Sequence, residues 1–187
     1  INLDLTALNA DVVTGNFHKW MCTSKGSAFL WVHPQMQPAI VPFIVSWGNL
    51  IPTLGDGAFV DDHEYMGTRE VSPFLTVPDG LRWMERDEWK DVQERARGLR
   101  NATMERLLAL DGTGPVSDWQ TDELMMGAVT LPQDTDVMLA KERLYIDYNI
   151  EVVVHRVKER PLLRFSVHAH TSQADLDALV EALPAVM

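Results

Sequence analysis

The run Thr14-Gly15-Asn16-Phe17-His18-Lys19-Trp20 sets one lysine among apolar and aromatic neighbours. Ala10 to Val13 leads into it, and Ala28-Phe29-Leu30-Trp31-Val32 follows as a β-prone segment. Strand-like flanks around a polar turn predict Lys19 at the mouth of a sheet. Packing against Phe17, Trp20 and Met21 would desolvate the amine, and a neutral amine is the nucleophile that forms a Schiff base with a carbonyl. The same residues also suit a lysine that snorkels at a strand end. Its neighbour His18 is either a satisfied core histidine or a polar member of the same site.

A second group lies near the end of the chain. Over Leu162 to Ala169, Leu163, Phe165 and Val167 alternate with Arg164, Ser166 and His168. That alternation puts Arg164 on the face opposite the apolar stripe. A guanidinium there can hold a carboxylate bidentately, or form a surface salt bridge to an acid such as Glu151. Other constellations are weaker. His63-Glu64, or His168 with His170 two apart on a strand, would supply only part of a metal ligand set. Thr23-Ser24-Lys25-Gly26-Ser27 is a turn or an anion-contacting loop. No Walker pattern is present, and Gly55-Asp56-Gly57 lacks the third glycine of a dinucleotide fingerprint.

The elements that must position these groups read as a folded α/β chain. The 187 residues are 46% hydrophobic, which places them in the globular range. A formal charge of −11 and a pI near 4.8 argue against a nucleic-acid surface or an anionic membrane as partner. One cysteine, Cys22, excludes an intrachain disulfide framework and a cysteine-rich zinc module, and fits a reducing cytoplasm. No signal sequence is visible, and apolar runs such as Ala39 to Val45 are too short to span a bilayer. The start at Ile1, directly in a patterned segment, is expected of a piece of something longer.

Leu3 to Leu8 is expected to be a short helix or turn before a strand at Asp11 to Thr14. Pro34 to Pro42 is a proline-punctuated connection, and the glycines, prolines and aspartates of the loop Trp47 to Asp62 predict no regular structure there. Ser72 is placed to cap a helix with Pro73 at its first position, carrying Phe74, Leu75, Val77, Leu81 and Met84 inward, with Pro78 as a kink or first-turn residue. A longer helix is predicted from about Asp87 to Leu110, with Trp89, Val92, Leu99, Thr103, Leu107 and Leu110 at near-helical spacing while Lys90, Glu94, Arg97 and Arg100 face water. Then come a strand at Met125 to Leu131, an amphipathic helix at Thr135 to Tyr145, and strands at Glu151 to Val157 and Leu162 to Ala169 joined by Lys158-Glu159-Arg160-Pro161. A last helix starts near Ser172, which with Asp175 has capping-box spacing. The change of texture around Met84 to Trp89 predicts a domain boundary near Arg86.

Three groups therefore stand in order: Asn16-Phe17-His18-Lys19-Trp20 followed by Lys25-Gly26-Ser27-Ala28-Phe29-Leu30, then Gly67-Thr68-Arg69 leading into Phe74-Leu75-Thr76-Val77-Pro78, then Arg164-Phe165-Ser166. This order resembles the C-terminal half of a class V aminotransferase-fold enzyme, a pyridoxal-phosphate family, and within it the isopenicillin N epimerase-like branch. The resemblance implies an α/β chain of PLP fold type I: residues 1–86 as the C-terminal part of the large αβα, cofactor-binding domain, and residues 87–187 as a small α+β C-terminal domain. It implies that Lys19 bonds pyridoxal 5'-phosphate and moves the proton at the substrate's Cα, with His18 and Asn16 near the cofactor phosphate. Gly67 and Thr68 would reach the cofactor of a neighbouring subunit in a homodimer with shared sites. Arg164 would clamp the carboxylate of an amino-acid-like substrate. The activity implied is that of an epimerase, lyase or aminotransferase, with no metal.

Two departures from the family pattern bear on this. Gln133 to Arg164 holds no cysteine, which disfavours a desulfurase of the usual kind, and Ala169-His170 stands where a tyrosine-asparagine pair is common. The family's glycine-rich phosphate turn, ring-stacking residue and ring-pairing aspartate are expected before Ile1, so the chain alone is expected to be inactive. The alternative reading is a non-catalytic dimerisation or binding module derived from the same fold.

Overall fold

The computed structural model describes residues 3–50, 58–118 and 121–187. The chain divides into two compact units, with the change between Arg86 and Asp87.

In the first unit, β1 (Val12–Asn16) and β2 (Ala28–Val32) form an antiparallel hairpin in the register Val12↔Val32 through Asn16↔Ala28. Leu3 to Leu8 carries turns and no helix. After a 3-10 turn at Gln37–Ala39 come α1 (Trp47–Leu50) and α2 (Ala58–Glu64), so both ends of the predicted irregular loop are helical; its residues 51–57 lie outside the described residues. The two helices pack backbone to backbone: a Cβ on Gly48 would lie 1.9 Å from the Asp61 carbonyl oxygen. Glycine permits this approach, which composition alone does not reveal.

The single kinked helix expected after Ser72 is two helices, α3 (Ser72–Leu75) and α4 (Val77–Met84). Val71, not Ser72, holds the N-cap position, and no side chain caps α3; Pro73 and Pro78 each sit in a first turn, where a missing N–H costs nothing. Leu75 and Leu81, expected inside, are exposed.

The second unit is a four-stranded antiparallel sheet with helices on one face. Its strands are β3 (Gly114–Pro115), β4 (Met126–Thr130), β5 (Val153–Val157) and β6 (Arg160–Ser166), in spatial order β3-β4-β6-β5. Helix α5 (Asp87–Leu108) packs on β4, and α6 (Val137–Tyr148) packs on β5. Both also contact α7 (Gln173–Ala182). Strand register decides which row faces them. Gly127 pairs Phe165, and Val129 and Val154 pair Leu163; this row enters the core. Met126, Ala128, Val153, Arg164 and Ser166 form the opposite row.

Local chemistry sets the helix ends. Asp136 caps α6 by accepting from Met138 and Leu139 N–H, and Asn149 ends it in the left-handed region at φ 56°. Ser172 and Asp175 make the predicted reciprocal capping box of α7. Helix α6 buries only Ala140 and Leu144, while Met138, Leu139, Tyr145 and Ile146 are exposed. On α5, Arg100 corrects the reading of a solvated face. It is 9% exposed and donates to the Met126 carbonyl, the Thr121 carbonyl and Asn101 Oδ1. Burial pushes its guanidinium below its ordinary value, and its hydrogen bonds offset the cost of desolvation.

Candidate active site

Lys19 follows β1 at the first bend of the β1–β2 connection. Phe17 N–H donates to the Ser27 carbonyl at 3.1 Å, closing the connection above the Asn16↔Ala28 pair. Cys22 N–H donates to the Lys19 carbonyl at 3.1 Å, so Lys19 opens a tight turn. Its side chain is exposed, and its amine makes no hydrogen bond or ion pair among the described residues. The expected burial of Lys19 among Phe17, Trp20 and Met21 is not found: the lysine is exposed in the turn, and Phe17 lies on Phe29 of the hairpin at 5.4 Å between ring centroids.

His18 is half-buried, with Nδ1 3.4 Å from the Ser27 carbonyl oxygen. A carbonyl only accepts, so the ring is the donor in this contact, through Nδ1–H. Asn16, the last residue of β1, is exposed beside it. The hairpin end thus brings Asn16, His18 and Lys19 together.

The return half of the connection is built from small hydroxyl residues. Ser27 is fully buried and Thr23 is 9% exposed. Ser27 Oγ donates to the Ser24 carbonyl at 3.2 Å, so the Thr23 hydroxyl, 3.1 Å away, donates to Ser27 Oγ. The loop is anchored outside the hairpin as well. Ser24 N–H donates to Thr76 Oγ1 at 3.1 Å, and a Cβ on Gly80 would lie 2.6 Å from Thr23 Cγ2 and 3.1 Å from the Met21 carbonyl oxygen. Sequence reading missed Thr76 and Gly80 as anchors. The available signal was a glycine inside a helical pattern, which marks close approach when it is not a cap.

Gly67 and Thr68 lie in a bend between α2 and α3. Gly67 has φ +99°, the left-handed side that glycine adopts without strain, and no atom lies within 4 Å of where its Cβ would be. Arg69 braces the bend by donating to the Glu64 carbonyl and lying 4.9 Å over the Phe74 ring. No hydrogen bond among the described residues joins Thr68 to the Lys19 turn.

Arg164, in the other unit, is exposed on the open row of the sheet between Ala128 and Val153. It borders hollows of about 630 Å³ and about 210 Å³. Every other arginine in residues 87–187 donates to a carbonyl or pairs with a carboxylate: Arg95, Arg97, Arg100, Arg106, Arg143, Arg156 and Arg160. Among the described residues Arg164 has no such partner, and the surface salt bridge to Glu151 is not formed. The alternation around it holds from Leu163 to Val167, although Leu162, on Arg164's own row, is also buried.

The histidine pair is not a strand motif, because β6 ends at Ser166. The His168 ring stacks between Trp89 and His170, and no group of metal-ligating residues occurs among the described residues. Nor is any helix of the described residues long and apolar enough to cross a membrane.

The sequence pattern of the family described as Aminotransferase class-V matches residues 1–179. The chain belongs to the class-V aminotransferase family. Among its relatives in that family, isopenicillin N epimerase of Amycolatopsis lactamdurans is 31% identical over 97% of this chain and 48% of its own length. The same enzyme of Streptomyces clavuligerus is 27% identical over 100% of this chain and 50% of its own length. The chain therefore spans about half the length of the curated relatives it matches. In fold it is similar to the cysteine desulfurase CsdA from Escherichia coli, with a TM-score of 0.73 and 17% identity over 98% of this chain and 47% of that one. It is likewise similar to a cystine C-S lyase, with a TM-score of 0.72 and 15% identity over 97% of this chain and 48% of that one. A mutant of that lyase carries glycine covalently linked to its PLP cofactor. These likenesses establish an α/β fold shared with class-V and related enzymes over about half their chains.

Proposed function

We propose that the full-length protein is a pyridoxal-phosphate-dependent enzyme acting at the Cα of an amino acid or peptide-like amine, as an epimerase, lyase or aminotransferase. The observation that carries this reading is Lys19: an amine without a partner among the described residues, held outside a braced hairpin end in a class-V family member. Residues 1–86 are read as part of the cofactor-binding large domain and 87–187 as the small domain.

The donor set fits the cofactor. An exposed amine can bond its carbonyl, and the neighbouring imidazole and amide of His18 and Asn16 can hold its phosphate. When bound, the cofactor supplies an electron sink for negative charge developing at the substrate's Cα. Lys19 then holds and moves the proton at that carbon, while Arg164, its guanidinium uncommitted, binds the substrate carboxylate and fixes its orientation. Gly67 and Thr68, on an open bend with no bond to the Lys19 turn, are assigned to the cofactor of the second subunit of a homodimer.

Reconstitution of the full-length protein with pyridoxal 5'-phosphate tests the reading. A protein-bound absorbance band should appear, and borohydride should fix the cofactor on Lys19. A Lys19→Ala protein that still gave the fixed adduct would overturn the assignment. With a panel of amino acids, solvent deuterium at Cα, keto acid or released thiol separates the three reaction types. A full-length protein that binds no cofactor would favour the dimerisation or binding module.

A further inference from the structure

We infer that Thr76 and Gly80 are positioning residues for Lys19: through the Met21–Ser27 loop they set where the lysine turn stands at the end of the hairpin. The inference rests on the reading of Lys19 as the cofactor-bonding lysine.

A long β1–β2 connection cannot hold a side chain in place by pairing alone, because the last paired residues are Asn16 and Ala28. Beyond them each residue needs an anchor from elsewhere. On the incoming side, Phe17 N–H on the Ser27 carbonyl supplies it. On the outgoing side the loop's own hydroxyl network ties Thr23, Ser24 and Ser27 to one another, which makes the loop a unit without fixing its tilt.

The tilt comes from α3 and α4. Thr76 stands at their junction and donates its hydroxyl proton to the Pro73 carbonyl at 2.7 Å. With that proton committed, a lone pair of Thr76 Oγ1 is left for the Ser24 amide. The bond crosses 52 residues of sequence and falls five residues after Lys19. Gly80 acts nearer still. Its bare Cα lets α4 close on the Met21 carbonyl, two residues after Lys19, and on the methyl of Thr23, whose rotamer the Ser27 hydrogen bond holds. Cys22 N–H on the Lys19 carbonyl couples the two ends of the turn, so displacement at Met21 or Cys22 is displacement of Lys19. A reacting group tolerates about half an ångström of misplacement, and about 1 Å can cost on the order of a hundredfold in rate. The contacts at Gly80 are tight enough to impose shifts of that kind.

The test uses the full-length protein with pyridoxal 5'-phosphate. Thr76→Val keeps shape and removes the hydroxyl, Thr76→Ser restores it, and Gly80→Ala pushes on the Met21 carbonyl. In Thr76→Val and Gly80→Ala, the pH midpoint of the bound-cofactor absorbance should move by about half a unit or more. The kcat should fall by about tenfold with KM within about twofold. Thr76→Ser should return both to the wild-type values. Amide hydrogen exchange of residues 19–24, read without cofactor, should quicken in Thr76→Val and recover in Thr76→Ser. Gly80→Ala is the independent variant should Thr76→Val fail to accumulate. If wild type fixes cofactor on Lys19 while both variants keep its pH midpoint and kcat, the inference fails alone, even if their Tm falls. If wild type fixes no cofactor on Lys19, the proposed function fails and the inference with it.

Discussion

Gly127 on β4 lies against the ring of Phe165 on β6 so closely that a Cβ there would stand 2.6 Å from Phe165 Cε1 and 2.7 Å from Met104 Sδ. The two are register partners on the core row, and the next pair along is Ala128 with Arg164. Gly127→Ala is therefore an overpacking change beside the candidate carboxylate clamp. It should destabilise the protein by about 1–3 kcal/mol, read as a lower urea or thermal midpoint. An unchanged midpoint would mean that the ring and the thioether make room at no cost.

Arg164 has no internal duty to lose. Arg164→Ala should leave the unfolding midpoint within experimental error, because no hydrogen bond or ion pair among the described residues depends on it. Steady-state kinetics should show kcat/KM for carboxylate-bearing substrates down by about 10- to 100-fold, mainly through KM. Arg164→Lys should recover only part of this, since an ammonium cannot reproduce the two-pronged contact. Equal loss with an amine substrate lacking the carboxylate would remove Arg164 from the site.

Acid should loosen α7. The Arg106 side chain, and then Gln173, hold the Asp177 carboxyl below the usual carboxylate range. Asp175 is held down by the Ser172 backbone N–H and then the Ser172 hydroxyl. A carboxyl lowered on folding contributes stability above its unfolded value and loses it as pH falls through the folded one. Stability should therefore decline from about pH 4 downward. The Asp175→Asn, Asp177→Asn double variant should show a flatter dependence of unfolding midpoint on pH over that range. A wild-type slope in the double variant would place the acid response elsewhere.

Local pattern carried much of the fold because its causes are local. The capping box of α7 needs only Ser172 and Asp175 three residues apart, and the polar stretch before Ala28-Phe29-Leu30-Trp31-Val32 carries local turn residues that in this chain join β1 to β2. The alternation that set Arg164 against Leu163 and Phe165 is likewise a property of one strand. The order of the lysine turn, Gly67-Thr68 and Arg164 was legible for the same reason: each lies on a contiguous stretch.

What sequence alone could not decide depended on which distant surfaces meet. Arg100 looks like one charge in a solvated run, and only the docking of α5 against β4 gives it the Met126 and Thr121 carbonyls that make burial tolerable. Lys19 looks packed because its neighbours are aromatic, yet in the folded chain Phe17 meets Phe29 and the lysine is exposed. Thr76 and Gly80 look like ordinary helix residues until α4 is laid against the Met21–Ser27 loop. Periodicity reports which face of an element is apolar. Its partner, and whether a polar group finds a donor or acceptor there, is a property of the folded chain alone.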